Sequence, residues 1–468
     1  MIVPQTRLLF WFAVTVLPFS ALGAVYPEAL LFSMVMIAGF LALALWDAAR
    51  VCGKLDGISL EVPELLRVSK DRAAVIAVTV RNERRKSLRL RLGLALPREL
   101  QSPNEDVLVL LPDGAEAARL DWPCQPTRRG NYRVKKAFLE TTSRLDFWAF
   151  RSAVPVRCEV RVYPNLLAER KNLAALFLNR GAFGLHAQRQ IGKGRDFEKL
   201  REYVPGDGFD EIHWKATARR GRPVTKVFQI ERTQEVYVVI DASRLSGRLV
   251  PDDSGVMRDA RRVNGFTHQA PGTTDASLAE TTVLERFITS ALVLGQAAEQ
   301  QGDLFGLITF SDQVQTFLRA KNGKAHYAAC RDAIYTLEPR HTTPDFDEIT
   351  AFIRTRLRRR ALLIFLTSLD DPVLAENFAR NASLLAGQHL VLANMLKPPD
   401  AEPLFTRPDV EGIDDIYRHL GGHLQWHNFR ELEKVLQRRG VRFSMLDNER
   451  LAAELVTQYI GVKRRQLL

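Results

Sequence analysis

Two long apolar stretches without a charged residue open the chain. They are Leu8–Val25 and Ala29–Trp46, and each would extend about 27 Å as a helix, close to the hydrocarbon thickness of a bilayer. Pro27 and Glu28 stand between them, where a proline breaks a helix and a carboxylate is costly inside a membrane. The pattern therefore predicts a two-helix transmembrane hairpin over residues 1–50.

The basic residues around this hairpin indicate its orientation. Arg7 precedes the first span, Arg50 and Lys54 follow the second, and the turn has no basic residue. The positive-inside rule therefore places both ends in the cytoplasm. The alternative is a signal peptide cleaved near 21–23, which leaves the second span as the anchor and the remaining chain in the cytoplasm. We predict a multi-pass protein of the bacterial inner (plasma) membrane with the bulk of the chain cytoplasmic.

Alternation of apolar and polar residues dominates the next hundred positions. It is clear in Ala74–Arg81, Leu88–Leu96 and Tyr132–Leu139, and half-buried strands show this period. Short strands at such spacing favour a small antiparallel β-sandwich. We expect this domain to cover residues 59–165 and to be followed by a separate segment, 166–235.

From Val236 onward, continuous apolar runs replace the alternation. The runs are Val236–Ile240, Phe305–Phe310, Leu362–Leu366, Leu390–Ala393 and Val441–Leu446. Stretches with helical character, such as 279–300 and 347–358, lie between them. Buried strands that alternate with helices predict an α/β domain with a doubly wound parallel sheet over residues 236–468. The polar stretch 246–279 has no such period and is predicted to be an insertion loop.

Oxygen-bearing side chains lie close to the ends of these runs. Asp241 and Ser243 follow the first run, Asp370 follows the third, and Thr342 and Thr343 lie between the second and third. Ligands of open α/β sheets bind at the carboxyl ends of strands, and Mg²⁺ prefers hard oxygen ligands. These residues therefore predict a divalent-cation site, with the two threonines as alternatives for one ligand. In the structural alternative, Asp241 and Ser243 cap the following loop by hydrogen bonds.

Composition narrows the classes of function. The formal net charge of +12 favours acidic partners, but no Lys/Arg run is interleaved with aromatic residues, which argues against nucleic acid. The four cysteines are isolated, so neither a disulfide framework nor a zinc site is expected, although a Cys124–Cys158 bridge stays open. No GxxxxGK[ST] motif occurs, which argues against ATP hydrolysis by this chain.

Three histidines, His419, His423 and His427, are spaced by four residues and would share one helical face. Such a face can bind a transition metal. The pair Gly421-Gly422 stands among them and is expected to interrupt the helix. We therefore interpret this stretch as a polar loop and a helix start.

The most specific pattern is residues 192–219, called here the signature motif. It reads Gly-x-Gly from 192, Phe-Glu-x-Leu-Arg-Glu-Tyr-x-Pro-Gly-Asp from 197, and Ile-x-Trp-Lys-x-x-Ala-Arg from 212. The motif and the two N-terminal spans strongly resemble domain-of-unknown-function family 58. Members of this family resemble partners of MoxR-type AAA+ ATPases, which act as chaperones. The resemblance implies binding or adaptor work, without a reaction.

The residues after the first apolar run resemble a second pattern, the metal-ion-dependent adhesion site of von Willebrand factor A domains. Its first loop is Asp-x-Ser-x-Ser, which Asp241 and Ser243 match. Leu245 stands at the second serine position, and Ser246 is one residue out of register. The resemblance implies a von Willebrand A-like fold with a degenerate Mg²⁺ site.

We therefore predict a membrane-anchored cytoplasmic protein-binding scaffold or adaptor, not an enzyme. It would work with a MoxR-type ATPase and contact other membrane or cytoplasmic proteins and membrane lipid. The predicted partner-binding residues are Arg195, Arg201, Asp207, Trp214, Lys215 and Arg219. The alternatives are a metal-dependent hydrolase that uses Asp241 and Asp370, and a purely structural scaffold. In the structural alternative for the signature motif, its basic and acidic residues pair with one another and its apolar residues are anchors of a lid.

Overall fold

The computed structural model describes residues 1–51, 54–167, 191–204, 208–209, 212–229, 234–251, 280–398, 401–404, 406 and 412–465. Asp207 and most of the predicted insertion 246–279 lie outside these residues. The chain divides into two compact units, Met1–Asn165 and Leu166–Leu468. The architecture is mixed α/β, with two apolar N-terminal helices and an N-terminal sheet region, as predicted.

The first unit begins with two apolar helices. Helix α1 covers Thr6–Val25 and helix α2 covers Leu30–Val51, joined by a short 3₁₀ turn at Pro27–Ala29. Both helices are long and apolar enough to cross a membrane. A Cβ at Gly23 would lie 3.3 Å from Cβ of Ser33, so the glycine permits their close approach.

Ten strands accompany the two helices in the described residues of this unit. They are β1 (Ile2–Pro4), β2 (Ile58–Glu61), β3 (Leu65–Ser69), β4 (Ala74–Asn82), β5 (Leu88–Leu94), β6 (Leu100–Gln101), β7 (Val107–Leu111), β8 (Ala117–Pro126), β9 (Gly130–Thr142) and β10 (Trp148–Tyr163). One sheet has the order β1-β10-β9-β5-β7, with β3 also on β10, and the other has the order β2-β4-β8-β6. Their alternating apolar residues meet in one core that includes Val78, Leu92 and Trp122.

One expectation for this unit is corrected, and one alternative that the sequence left open is decided. The sandwich is not wholly antiparallel, because β3 pairs parallel with β10. These strands are far apart in the chain, so no hairpin forces them to run in opposite directions. The Cys124–Cys158 bridge is not formed: both residues are buried free cysteines, and burial raises the pKa of both thiols.

The second unit begins with a two-stranded sheet and a short helix. Strand β11 (Ile191–Glu202) pairs antiparallel with β12 (Val224–Gln229), and helix α3 covers Trp214–Arg220. Later elements are β13 (Glu235–Asp241), β14 (Leu249–Pro251), β15 (Glu280–Thr282), α4 (Val283–Gln300), β16 (Leu304–Phe310), β17 (Val314–Lys321), α5 (Lys324–Ile334), α6 (Phe346–Arg356), β18 (Leu362–Leu366), α7 (Pro372–Ala386), β19 (Leu390–Leu396), α8 (Ile413–Arg438), β20 (Arg442–Leu446) and α9 (Leu451–Arg464).

The main sheet has the order β17-β16-β13-β18-β19-β20. Five strands are parallel, but β17 runs antiparallel to β16. This edge differs from the predicted parallel sheet because the turn 311–313 is too short for the crossover that a parallel neighbour requires.

Both faces of the sheet are covered. Val236, Val238 and Ile240 pack with residues of α4 and α9, whereas Tyr237 and Val239 pack with residues of α6 and α7. Burial on both faces explains why these strands are continuous apolar runs.

Helix α8 contradicts the predicted interruption at Gly421-Gly422, because it continues through both glycines. Gly422 is buried on the same helix as Phe429 and Leu436, and this packing offsets a cost of about 1 kcal/mol per glycine. The histidines form no metal cluster: the described part of the chain contains no group of three His, Cys, Asp or Glu side chains able to hold an ion. Nδ1 of His423 instead accepts a hydrogen bond from the Leu404 N–H (3.1 Å).

Candidate functional site

Asp241 is the last residue of β13, a central strand of the main sheet. After β13 the chain adds β16 and β17 on one side of this strand, and then β18, β19 and β20 on the other side, so the direction in which strands are added reverses at β13. Ligand crevices of open α/β sheets lie at such points, beyond the carboxyl ends of the strands. The Asp241 side chain is fully buried. Its Oδ1 accepts a hydrogen bond from the Ser243 N–H (2.8 Å), and its Oδ2 accepts one from Oγ1 of Thr367 (2.6 Å). Both carboxylate oxygens are therefore used by donors of this chain.

Burial raises the pKa of Asp241, because the charged form loses its hydration. The hydrogen bonds from Thr367 and Ser243 oppose this shift, because they stabilise the carboxylate. Thr367 directly follows β18, so this donor lies at the end of a predicted strand, yet sequence reasoning did not select it.

The residues after Asp241 fold into a tight loop, 241–248, called here the Asp241 loop. Oγ of the buried Ser243 accepts a hydrogen bond from the Leu245 N–H (3.4 Å), which caps the 3₁₀ turn Arg244–Gly247. Oγ of Ser246 donates to the Ser243 carbonyl (2.8 Å), and the side chain of Leu245 is buried. These are the capping bonds that the structural alternative requires, and Ser246 uses its hydroxyl within the loop.

The structure distinguishes the two threonines. The Thr342 carbonyl accepts a hydrogen bond from the Arg244 N–H (2.9 Å), which places Thr342 against the Asp241 loop, while Thr343 is exposed. Oγ1 of Thr342 donates to Oδ1 of Asp312 (3.3 Å). Sequence reasoning missed Asp312, although it closely follows the second apolar run. Its pKa is lowered, first by the hydrogen bond from Ser311.

Asp370 lies after β18 and forms an ion pair with Arg248. The side chain of Asp370 is 22% exposed. Sequence reasoning did not select Arg248, because it lies inside the polar stretch that was expected to be an insertion.

The arrangement does not fit a resident Mg²⁺. The oxygens of Asp241 already accept hydrogen bonds, Arg248 is paired with Asp370, and Leu245 supplies no ligand. Mg²⁺ is usually held by one or two carboxylates and several waters, and both candidate carboxylates, Asp241 and Asp370, are engaged by donors of this chain.

The signature motif presents a different surface. Helix α3 begins after His213, whose Nδ1 accepts a hydrogen bond from the Ala216 N–H (3.0 Å). It ends at Gly221, whose φ of 68° is the left-handed conformation that favours glycine at a helix end. The Trp214 side chain is 67% exposed, and Lys215 and Arg219 of the same helix are exposed as well.

The structure revises the lid interpretation of this motif. Ile212 is buried, as expected of an apolar anchor, but Trp214 is not. Glu202 forms its ion pair with Arg222 (2.6 Å), which lies beyond the motif, instead of with one of the predicted basic residues. A second exposed aromatic residue, Phe209 (75% exposed), has its ring centroid 6.3 Å from that of Tyr203.

Two further predicted partner residues lie on β11. Arg201 is partly exposed. Arg195 belongs to the same strand, but its side chain is outside the described part of the structure, as is the whole of Asp207. Of the six predicted partner-binding residues, the structure therefore brings Trp214, Lys215 and Arg219 together on one helix.

Comparison with known proteins bears on both regions. Residues 199–247 and 268–410 match the family of proteins of unknown function DUF58. The DUF58 match includes helix α3, Asp241, Ser243, both threonines and Asp370, whereas Arg195 and Arg248 lie outside it. No curated protein matches the chain.

Two solved structures are similar to about half of the chain. One is an aerotolerance-related membrane protein from Bacteroides fragilis NCTC 9343, with 16% identity, a TM-score of 0.29, and coverage of 49% of this chain and 98% of that one. The other is the conserved hypothetical protein BatB from Bacteroides thetaiotaomicron, with 16% identity, a TM-score of 0.30, and coverage of 50% and 99%.

Proposed function

We propose that this chain is a membrane-anchored cytoplasmic scaffold or adaptor that binds other proteins and catalyses no reaction. The observation that carries the proposal is the exposed Trp214, on the same short helix as the exposed Lys215 and Arg219. Phe209 is a second exposed aromatic residue of the same motif, and groups of exposed apolar side chains rimmed by polar residues mark protein interaction sites. Tryptophan and arginine are also the residues most enriched among the energetically dominant contacts of protein interfaces.

The proposed partner is a MoxR-type AAA+ ATPase with an acidic docking face. The resemblance of the signature motif to family 58 suggests this class of partner, and the cations of α3 suggest the sign of its surface charge. Charge complementarity of this kind increases the association rate and weakens with salt.

The proposed scaffold is a von Willebrand A-like α/β domain with a degenerate metal site. The sheet order supports this proposal, because Asp241 ends the central strand β13 and ligands of doubly wound sheets bind at the carboxyl ends of such strands. We propose that Mg²⁺ joins the site only when Arg248 leaves Asp370. A metal-dependent hydrolase would need the same carboxylate, whereas protein binding through α3 does not use it, so the ion pair favours the scaffold over the hydrolase.

The proposed topology has both ends of the hairpin on the cytoplasmic side of the inner membrane. Strands β1 and β2 flank the two helices in the chain and both belong to the β-sandwich, which favours a hairpin over a single crossing. In intact cells, an engineered cysteine at Asn131 should stay unlabelled by a membrane-impermeant thiol reagent and react after lysis. Labelling before lysis would contradict the topology.

The binding proposal is tested with the full chain in nanodiscs and a MoxR-type ATPase from the same cells. Trp214→Ala should weaken binding about 30-fold, the equivalent of a 2 kcal/mol interface contact. Arg219→Glu should mainly lower the association rate and its dependence on salt.

Arg119→Glu is the matched control for charge, because Arg119 is also exposed, at 74% of its side chain, and lies on β8. The control should bind like the wild type. Equal affinity of the wild type and Trp214→Ala would refute α3 as the docking surface. An equal fall in association rate in Arg119→Glu would mean that Arg219→Glu acts only through the net charge of the chain.

A further inference from the structure

The turn that leads from β9 into the first residue of β10, Ser143–Trp148, contacts both apolar helices and is called here the Ser143 turn. Nε1 of Trp148 donates a hydrogen bond to the Ala44 carbonyl of α2 (2.9 Å). The Leu145 N–H donates to Oδ1 of Asp47, also on α2 (3.4 Å). The Gln5 N–H, just before α1, donates to the Phe147 carbonyl (2.8 Å). The sandwich therefore holds the hairpin through this turn at the start of α1 and the end of α2.

The Ser143 turn is organised by its own hydrogen bonds. Oγ of the buried Ser143 accepts from the N–H groups of Phe147 and Trp148, both at 3.1 Å. Asp146 adopts a positive φ of 55° and pairs with Arg7 at 3.0 Å. A turn with this many internal bonds presents its exposed side chains in a defined direction.

The contacts with α2 set the depth of the turn. Ala44 and Asp47 lie 14 and 17 residues after Leu30, about 21 and 26 Å along the helix, and a bilayer core is about 30 Å thick. Trp46 lies between them, and the Arg50 guanidinium is 4.1 Å from the centre of its ring. Tryptophan and arginine in this position are typical of the boundary between hydrocarbon and headgroups. The Ser143 turn therefore lies at the same level as that boundary.

We propose that the Ser143 turn is a lipid-binding element. Leu145, which is 37% exposed, enters the layer between the headgroups and the acyl chains. The exposed Arg144 and Arg50 bind the phosphates of anionic phospholipids, whose surface potential attracts basic side chains next to a membrane span. The inference rests on the membrane anchoring in the proposed function, and it adds the ligand class and the residues.

Depth-dependent fluorescence quenching tests the insertion. Leu145→Cys carries an NBD label in a full-length Cys52→Ser chain, in vesicles of phosphatidylcholine and phosphatidylglycerol; the other three cysteines are buried. Nitroxide lipids labelled near the headgroup should quench this probe. A probe at Asn131, eleven residues before Thr142 on β9 and about 36 Å away, should stay unquenched. A probe at Leu41, on the exposed side of α2, should be quenched by nitroxides deeper in the acyl chains.

The outcomes separate the two proposals. If the probe at Leu41 is quenched while the probe at Leu145 behaves like the one at Asn131, the hairpin is in the bilayer and the inserted turn is refuted. If the probe at Leu41 is also unquenched, the membrane anchoring itself fails.

Headgroup selectivity is tested with the same Leu145 probe. Nitroxide-labelled phosphatidylglycerol should quench it more than nitroxide-labelled phosphatidylcholine at the same mole fraction, and Arg144→Gln should remove most of this excess. Arg133→Gln, an exposed arginine at the far end of β9, is the matched control and should keep it. Equal quenching by the two lipids in the wild-type chain would overturn the assignment of an anionic-lipid site.

Discussion

The Asp241 loop and helix α3 are both parts of recognisable motifs, yet they treat their polar and apolar groups in opposite ways. In the Asp241 loop, the carboxylate and the hydroxyls of Ser243 and Ser246 all form hydrogen bonds within the chain, and Leu245 is buried. On α3, Trp214 and its neighbouring cations face solvent. The difference lies in whether the side chains of a motif form hydrogen bonds within the chain or remain exposed. The polar groups of the Asp241 loop stabilise the loop itself, whereas the side chains of α3 remain accessible to a partner.

The largest expected effect on the free energy of unfolding comes from removing the carboxylate at the centre of the Asp241 loop. Asp241→Ala leaves the Ser243 N–H and the Thr367 hydroxyl without their acceptor, which should lower the free energy of unfolding by about 1–3 kcal/mol. Thermal unfolding in detergent measures this as a lower melting temperature. Thr367→Val removes one of the same bonds, so the double variant should lose less than the sum of the two single losses. An unchanged melting temperature in Asp241→Ala would show that the loop does not stabilise the fold.

The second prediction is that two substitutions convert the Asp241 loop into a Mg²⁺ site. Combining Leu245→Ser with Arg248→Ala adds a hydroxyl and releases Asp370. Mg²⁺ at ten times its dissociation constant should then stabilise the variant by about 1.4 kcal/mol, while the wild type gains little. Adding Asp241→Ala to the same chain should abolish the gain. A strong Mg²⁺ response of the wild type would overturn the degenerate-site interpretation.

The third effect follows from the raised pKa of Asp241. Because its pKa is higher in the folded than in the unfolded chain, the folded state binds more protons between about 3.9, the unfolded value, and the raised folded value. The contribution of Asp241 to the free energy of unfolding therefore rises as the pH falls through that window. Above the window the carboxylate is charged, and the full cost of burying this charge lowers the free energy of unfolding. As the pH is lowered from 7 to 4, the melting temperature of the wild type should rise relative to that of Asp241→Asn. A difference that is constant with pH would mean that Asp241 does not titrate as its burial requires.

The smallest effect concerns the exposed region. Trp214→Ala and Arg219→Glu should change the free energy of unfolding by less than about 0.5 kcal/mol, because surface substitutions away from buried partners rarely do more. Melting curves recorded beside those of Asp241→Ala provide the comparison. A drop as large as that of Asp241→Ala would restore the lid interpretation of the signature motif.

Local patterns were the predictable part of the fold. The run Leu362–Leu366 coincides with β18, and Val236–Ile240 lies within β13, because strands buried on both faces leave an uninterrupted apolar signal. Pro27 was predicted to separate two helices, and α1 ends just before it. The edge strand β17 was missed because it is only half-buried and its residues are mixed in character.

Long-range partners were the unpredictable part. The motif identified Asp241 and Ser243, but neither spacing nor residue type indicated that Thr367 would occupy one carboxylate oxygen or that Arg248 would pair with Asp370. The exposure of Trp214 was equally hidden, since the same residue pattern serves a buried anchor. These hydrogen bonds and ion pairs depend on which loops lie next to one another in the folded chain. The loops that meet at Asp241 and Asp370 come from positions more than a hundred residues apart in the sequence.

Strand β1 has a consequence for the order of events during synthesis. Its Ile2 is the sheet partner of Phe150 on β10, with both apolar helices between them in the chain. The hairpin emerges from the ribosome long before β10 does, so a membrane-spanning hairpin of the proposed kind would meet the insertion machinery while the sandwich is still incomplete. Contacts this distant in sequence also close slowly. In the proposed topology, membrane insertion therefore comes first, and the sheet that holds the hairpin is completed around helices that already have their final depth.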